Sequence, residues 1–379
     1  MNRIIALIII LFFIACDNEQ KKPSKNSNFR LEFVKRDSIK TDSTLRPLYF
    51  RSQYLWNSNK LVHSNGPDKL VVLDLNNNKI EKTINFKKDG EDNVNKANLN
   101  FYYHNKDSIF LISNQKKFYR TNDEAEIVNS FRFDSISDLS NEFGEPMVSM
   151  GTSNAVFRNS KLSFITYPQS PENMNKSVDD PVFATLDLKN KKLNESGLRY
   201  SYSVQYDKLQ HPYFIEPLAT KNNNDDLIIL FKTDNHFIVI EDNEIKNKIG
   251  FKSDYFFEYP KMKGREEIPT FPIESFSNQK LLFDQVNEKY YLFISHYMDY
   301  KNSTTGNVNT TYHKPFSILI FDDNFNKILE RKFKGEKYNM HMSFISKNGL
   351  YLSLNNVEND VDFEDDFFKY EIYDLKQNE

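Results

Sequence analysis

The side chains with the greatest chemical reach gather in two stretches. One is Asp254-Tyr255-Phe256-Phe257-Glu258-Tyr259-Pro260, followed by Lys261, Lys263 and Arg265; the other is His296-Tyr297-Met298-Asp299-Tyr300. Rings beside mixed charges suit stacking on a sugar or docking of a protein, because rings supply flat area at low entropy cost and charges supply orientation. Tyr255, Tyr259, Arg265, Tyr297 and Asp299 are therefore the candidate ligand-contacting residues. The plainer alternative for Phe256 and Phe257 is that they pack their loop against its own sheet.

Catalysis would need more. Glu258, Glu274 and Asp299 could serve as acids of a polysaccharide lyase or glycoside hydrolase, but hydrolysis requires two carboxylates about 5 to 9.5 Å apart. A linear sequence supplies no such distance, and no catalytic residue is assigned. His296 and His313 bracket one stretch with Asp299 between them and could meet across its neck as metal ligands, a weak signal at that separation. His211 is followed by Pro212 and Pro217, which forbid the helix of a His-x-x-x-His site. The acidic run Asp360, Asp362, Glu364, Asp365 and Asp366 fails as a calcium loop, since Asp365 stands where glycine is needed and the twelfth position, Glu371, falls in a predicted strand. No metal and no cofactor is expected. Four Asp-Ser-Ile/Thr triplets, at Ser38, Ser43, Ser108 and Ser135, resemble the short acceptor motif of O-glycosylation in Bacteroidota; Ser38 and Ser43, near the N-terminus, are the candidates, because Ser108 opens a predicted inner strand.

Composition narrows the classes further. The chain has 379 residues, 39% hydrophobic and 27% charged, which is enough apolar material for a folded core. Lys and Arg number 50 against 53 Asp and Glu, so no basic excess points to nucleic acid. Ten glycines without a Gly-rich phosphate loop, and one cysteine, exclude the common nucleotide cradles, an internal disulfide and a Cys-based zinc site.

That cysteine has a context of its own. Arg3 precedes the unbroken apolar run Ile4 to Phe13, and Ile14, Ala15 and Cys16 follow before Asp17, Asn18 and Glu19 end the hydrophobic stretch. The run is too short to span a bilayer and has the order of a secretion signal. A small residue before the cysteine resembles the bacterial lipobox, in which Cys16 becomes the acylated first residue. Residues 1–15 are thus expected to be a lipoprotein signal peptide, residues 16–28 the lipidated cysteine and a polar tether, and residues 29–379 the folded domain. The expected location is the cell envelope, lipid-anchored, at the outer membrane.

What must position the candidate loops is a repeat. An apolar strand reaches an Asn-rich turn, a second strand leaves it, and after a variable loop a third strand turns into an alternating fourth. The first copy runs Leu48–Trp56, Lys60–His63, Lys69–Leu75 and Lys79–Phe86. The first turn recurs near Asn105, Asn159, Asn223, Asn287 and Asn348. Asn suits such turns because it tolerates the left-handed conformation and bonds its own backbone. Fourth strands are predicted at Ile127–Phe133, Leu193–Tyr200, Ile245–Phe251 and Ile328–Phe333. The sixth copy, Met340–Ser346, Leu350–Asn355 and Phe367–Leu375, lacks a fourth strand, while Phe29–Val34 is a spare one; pairing it on Tyr370–Leu375 would protect two edges. The predicted fold is an all-β, six-bladed β-propeller whose ring is closed by an N-terminal strand completing the last blade. An irregular pair of β-sandwiches is the alternative.

The lipobox-like start, the Asn- and aromatic-rich six-copy architecture and the segment LLFDQVNEKYYLFI from Leu281 to Ile294 resemble a family of Bacteroidota lipoproteins defined by a domain of unknown function. They are also similar to six-bladed propellers of the NHL and TolB type. The resemblance implies a propeller and carries over no catalytic residue. In a propeller the short turns share one face and the remaining connections the other; Tyr167–Pro181, Ser201–Pro212, Lys252–Lys280 and His296–Pro315 are all long, so a binding surface is expected on the long-loop face. The function expected is a membrane-anchored, non-catalytic binding propeller that takes a glycan, a peptide or an envelope protein. The alternatives are the lyase or hydrolase above and a scaffold subunit of an envelope complex.

Overall fold

The computed structural model describes residues 28–41, 51–66, 68–87, 93–94, 100–112, 117–132, 146–147, 155–166, 180–202, 216–256, 258–259, 262, 264–358, 364 and 366–378. Cys16, His211, Ser43 and Ser135 lie outside them, as do Asp360, Asp362 and Asp365 of the acidic run. No helix among the described residues is long and apolar enough to cross a membrane.

The chain is all-β, and its strands fall into antiparallel groups in sequence order. After β1 (Phe29–Lys40), the first group is β2 (Ser52–Leu55), β3 (Lys60–Ser64), β4 (Lys69–Asp74) and β5 (Lys79–Asn85). The second is β6 (Asn100–Asn105), β7 (Ser108–Ile112), β8 (Lys117–Thr121) and β9 (Ile127–Arg132). The third holds β10 (Pro146–Met147), β11 (Val156–Arg158), β12 (Lys161–Thr166), β13 (Phe183–Asp187) and β14 (Lys192–Glu195). The fourth is β15 (Pro217–Lys221), β16 (Leu227–Phe231), β17 (His236–Glu241) and β18 (Glu244–Gly250); the fifth is β19 (Ser277–Asp284), β20 (Lys289–Ser295), β21 (Phe316–Phe321) and β22 (Lys327–Phe333). Finally β23 (Asn339–Ser346), β24 (Gly349–Ser353) and β25 (Phe367–Gln377) pair in turn, and β1 lies antiparallel on β25.

The β1–β25 register sets Leu31 opposite Leu375 and Phe33 opposite Tyr373, then passes a bulge at Val34 and runs on to Lys40 opposite Phe367. The expected six-residue strand is thus twice as long. Lys40 also bridges Lys79 of β5, so the last group and the first share one eight-stranded sheet.

Side chains alternate across each strand and fill the spaces between neighbouring groups. One cluster joins the fourth group to the fifth through Leu230, Phe237, Tyr290 and Phe321; another joins the third to the fourth through Ile165, Phe183, Ile229 and Phe231. A further cluster packs Leu61, Val71 and Leu73 of the first group on Phe344, Tyr370 and Ile372 of the last. The first strands of groups also meet, β19 touching both β15 and β23, and β23 touching β2. Radial groups whose first strands share an axis make the arrangement propeller-like.

The turns obey two local rules. In Asp74-Leu75-Asn76-Asn77, Asp187-Leu188-Lys189-Asn190 and Asp284-Gln285-Val286-Asn287, the carboxylate accepts from backbone N–H groups of the turn and from the Asn side chain. At Asn122, Asn222 and Asp322 the side-chain oxygen accepts from N–H groups two and four residues on. Asn59, Asn78 and Asn159 adopt positive φ as expected, but elsewhere Ala125, Lys191, Asp225, Glu288 and Phe325 do so. At those turns the Asx side chain works by capping, which holds a neighbour in the strained conformation.

The strand expected over Leu193–Tyr200 stops at Glu195. Tyr200 instead opens a 3₁₀ turn, buried, with its hydroxyl donating to the Thr166 carbonyl, a partner that a regular strand register would not offer. β24 stops at Ser353 rather than Asn355, because the Asn355 side chain bonds the Phe367 carbonyl and the Lys369 N–H in place of a ladder.

Candidate functional site

The connection from β18 to β19 begins on the outer strand of the fifth group. The Ser253 hydroxyl donates to Glu330 at 2.6 Å and the Asp254 N–H donates to the same carboxylate at 2.7 Å. Tyr255 follows, half-buried, its ring centroid 5.4 Å from that of His296 and 5.6 Å from the Lys332 ammonium. Phe256 turns inward to stack on Phe276 at 4.7 Å, so the plainer reading of Phe256 is the one observed; Phe257 lies outside the described residues.

Tyr259 requires a correction. Expected as a loop-tip ring for a ligand, it is 3% exposed, packs edge-on against Phe256 and donates its hydroxyl to Asn278 Oδ1 at 2.5 Å. The amide of Asn278 donates in turn to the carbonyls of Phe231 and Asp234 at 2.8 and 2.7 Å. A buried hydroxyl must find a partner, and this one pins the loop to the fourth and fifth groups. Arg265 opens a 3₁₀ turn, Arg265–Glu267, and its side chain lies outside what the structure describes.

Tyr297 is the ring that faces water, 48% exposed, and its hydroxyl donates to Asp299 Oδ1 at 2.9 Å. That bond raises the pKa of the phenol and presents ring and carboxylate as a unit. The loop beneath is stitched down. Asn309 donates to the Asp299 carbonyl at 2.7 Å, the Tyr300 N–H to Glu274 at 3.2 Å, and the Met298 N–H to the Ile273 carbonyl at 3.2 Å. Lys314, buried, donates to the carbonyls of Pro272 and Ser275, both at 2.7 Å; burial pushes its ammonium down to about 7.

The histidines serve separately. His296 is buried, with Nε2 2.7 Å from the Ser317 hydroxyl; burial, then Lys332 and Lys314, push it down to about 3, so the ring is neutral. His313 closes a capping box with Thr310 and sets Nε2 3.5 Å from Glu358. Their ring nitrogens thus go to different partners, and no group of three His, Cys, Asp or Glu among the described residues could hold a metal. Ser38 lies exposed on β1, whereas Ser108 is buried and accepts from Arg120 at 3.1 Å.

Nearer the axis lie basic residues that sequence reasoning missed. Lys280 of β19 is 2% exposed and reaches across to donate to the His341 carbonyl of β23 at 2.7 Å. Lys232, just after β16, forms a buried ion pair with Glu216, just before β15. The available signal was a lysine adjoining an apolar run, as in Lys280-Leu281-Leu282-Phe283 and Leu230-Phe231-Lys232; only burial separates such a lysine from an ordinary surface one.

The short-turn face is not featureless either. A cleft of about 530 Å³ opens between the third and fourth groups, with Arg158 and Lys161 on one wall, Asp225, Asp226 and Asp242 on the other, and Phe183 and Ile240 at its base. Asn243 and Thr185 join the walls by a 2.9 Å hydrogen bond.

Comparison with known families places this architecture. The model of a domain of unknown function, DUF4221, matches residues 32–332. The chain belongs to the DUF4221 family. A crystal structure of a DUF4221 member from Bacteroides vulgatus superposes with a TM-score of 0.76 at 20% identity, covering 93% of this chain and 100% of that one. Much lower likeness is found to a streptogramin B lyase (TM-score 0.44, 9% identity, 92% of this chain and 98% of that) and to the Swd1 β-propeller domain of Myceliophteria thermophila (TM-score 0.43, 7% identity, 90% and 100%). No curated protein matches the sequence. The fold of this DUF4221 protein is therefore shared with a solved member across nearly its whole length.

Proposed function

We propose that this DUF4221 protein is a lipid-anchored envelope protein whose six-bladed propeller, closed by β1 on β25, binds a glycan on its long-loop face without catalysis. Anchoring rests on the Arg3, Ile4–Phe13 and Ala15-Cys16 pattern, and the blade count on six strand groups with clusters between successive ones. The observation that carries the binding reading is Tyr297 held by Asp299. An exposed ring with a fixed carboxylate beside it offers one face for stacking and one acceptor for sugar hydroxyls, on loops stitched through Lys314, Asn309 and Glu274. Tyr255 flanks it across His296.

The test is a glycan microarray probed with wild type and with a Tyr255→Ala/Tyr297→Ala variant. Binding to a subset of glycans is expected, with a loss of about 2 kcal/mol in the variant and an unchanged melting temperature, because neither ring belongs to a core cluster. An array without bound glycans, or equal binding by the variant, overturns the reading. Release of reducing or unsaturated sugars from a bound glycan would instead establish the enzyme alternative.

A further inference from the structure

At the axis, the inner strand β19 carries a lysine, Lys280, that no carboxylate among the described residues pairs with. An ammonium carries three N–H donors, yet among the described residues the Lys280 ammonium donates only to the His341 carbonyl, at 2.7 Å, although the side chain is almost wholly removed from water. Buried charges are ordinarily paired, so a lysine with two spare donors and no counter-charge is an unfinished arrangement.

Its surroundings share the sign. The half-buried His341 ring is held neutral by burial and by the nearby charges of Lys280 and Lys232, which push it down to about 3. Two described carboxylates of the neighbouring fourth group are occupied: Glu216 pairs with Lys232, and Asp234 lies 2.8 Å from Nδ1 of His236. β19 touches β23, so Lys280 and His341 come from neighbouring inner strands, and the Lys280 ammonium sits close enough to act on the His341 ring.

We propose that this end of the axis, where Lys280 and His341 meet from β19 and β23, is a site for an oxyanion, a carboxylate or sulfate group carried on a sugar. The anion would accept hydrogen bonds from the spare N–H donors of Lys280, charge-assisted bonds of the stronger kind. Burial alone pushes Lys280 down to about 7, so near neutral pH a bound anion favours the charged ammonium, and binding and protonation are linked. The site lies at the axis, apart from the Tyr255 and Tyr297 rim. It rests on the glycan reading only for the sugar that carries the anion.

The experiment titrates the full-length protein with sodium glucuronate, glucose and sodium sulfate, against sodium chloride at matched ionic strength. The Lys280 side-chain signal is followed by NMR in protein labelled with carbon-13 lysine and assigned by its loss in Lys280→Met. Glucuronate or sulfate is expected to raise the pKa of Lys280 by one or more, a tenfold or greater preference for the charged form. Glucuronate should also bind at least tenfold more tightly than glucose, and Lys280→Met should lose that advantage. A response to glucuronate alone assigns a sugar carboxylate; a response to sulfate as well assigns sulfate esters too. A Lys280 signal unmoved by either anion, or equal affinities in wild type and Lys280→Met, overturns the proposal. Should Lys280→Met fail to fold, the wild-type titration decides alone, with assignment from Lys280→Arg. Loss of array binding in the Tyr255/Tyr297 variant with the Lys280 response intact would separate the two sites.

Discussion

Glu371 of β25 receives both Nε and Nη2 of Arg36 on one oxygen, at 3.2 and 3.1 Å, although the two residues stand 335 positions apart in the chain. The same carboxylate accepts from Lys337 at 2.8 Å, Tyr338 at 2.5 Å and Tyr373 at 2.9 Å. It thus ties β1 to the last strand group at a buried point.

Acid should open this junction. Burial pushes the Glu371 carboxyl up, but the bonds from Lys337, Tyr338 and Tyr373 outweigh it and bring it down to about 2. A carboxyl lower in the folded state than in the unfolded one stabilises the fold above the ordinary value near 4.5 and loses that contribution as pH falls toward 2. The melting temperature of wild type should therefore drop between pH 5 and pH 2 more steeply than that of Glu371→Gln. Parallel curves would show that Glu371 does not govern acid stability.

Removing β1 should be costly. A chain beginning at Asp42 lacks all of β1, one of the two strands that flank β25, and exposes an edge carrying Tyr370, Ile372 and Leu375. Aggregation or a large fall in melting temperature is expected on differential scanning calorimetry. A truncated protein that melts like the longer chain would speak for an open architecture.

Tyr259→Phe removes a single hydroxyl and leaves Asn278 Oδ1 buried without that donor. A destabilisation of about 1 to 3 kcal/mol by urea titration is expected. The matching Tyr297→Phe change, at an exposed ring, should cost less than about 0.5 kcal/mol.

Glu216→Gln takes the carboxylate from the buried Lys232 ammonium and should destabilise by about 3 to 5 kcal/mol. The double change Glu216→Leu/Lys232→Met should recover much of that loss. A double variant no better than Glu216→Gln would locate the cost in packing rather than in charge.

Cys16→Ser tests the anchor. Wild type is expected in the membrane fraction and to incorporate labelled palmitate, the variant in neither. A wild type that already fractionates as soluble would end the lipoprotein reading.

Much of the strand order was legible in the sequence because strands and turns are local. Period-two alternation marks Phe29-Arg30-Leu31-Glu32-Phe33, and an Asx side chain that bonds backbone two to four residues on marks the turn wherever the rest of the chain goes. The spare N-terminal strand could be counted for the same reason. Burial, by contrast, is a property of what packs against a residue, and for loops no period announces it. Tyr259 and Tyr297 look alike in sequence, both aromatic beside acids in long connections. Only the position of Asn278 makes the first a buried anchor, while the second is left facing water beside Asp299. Lys280 is likewise an ordinary strand lysine until β23 is laid beside β19, where burial leaves its ammonium on the His341 carbonyl.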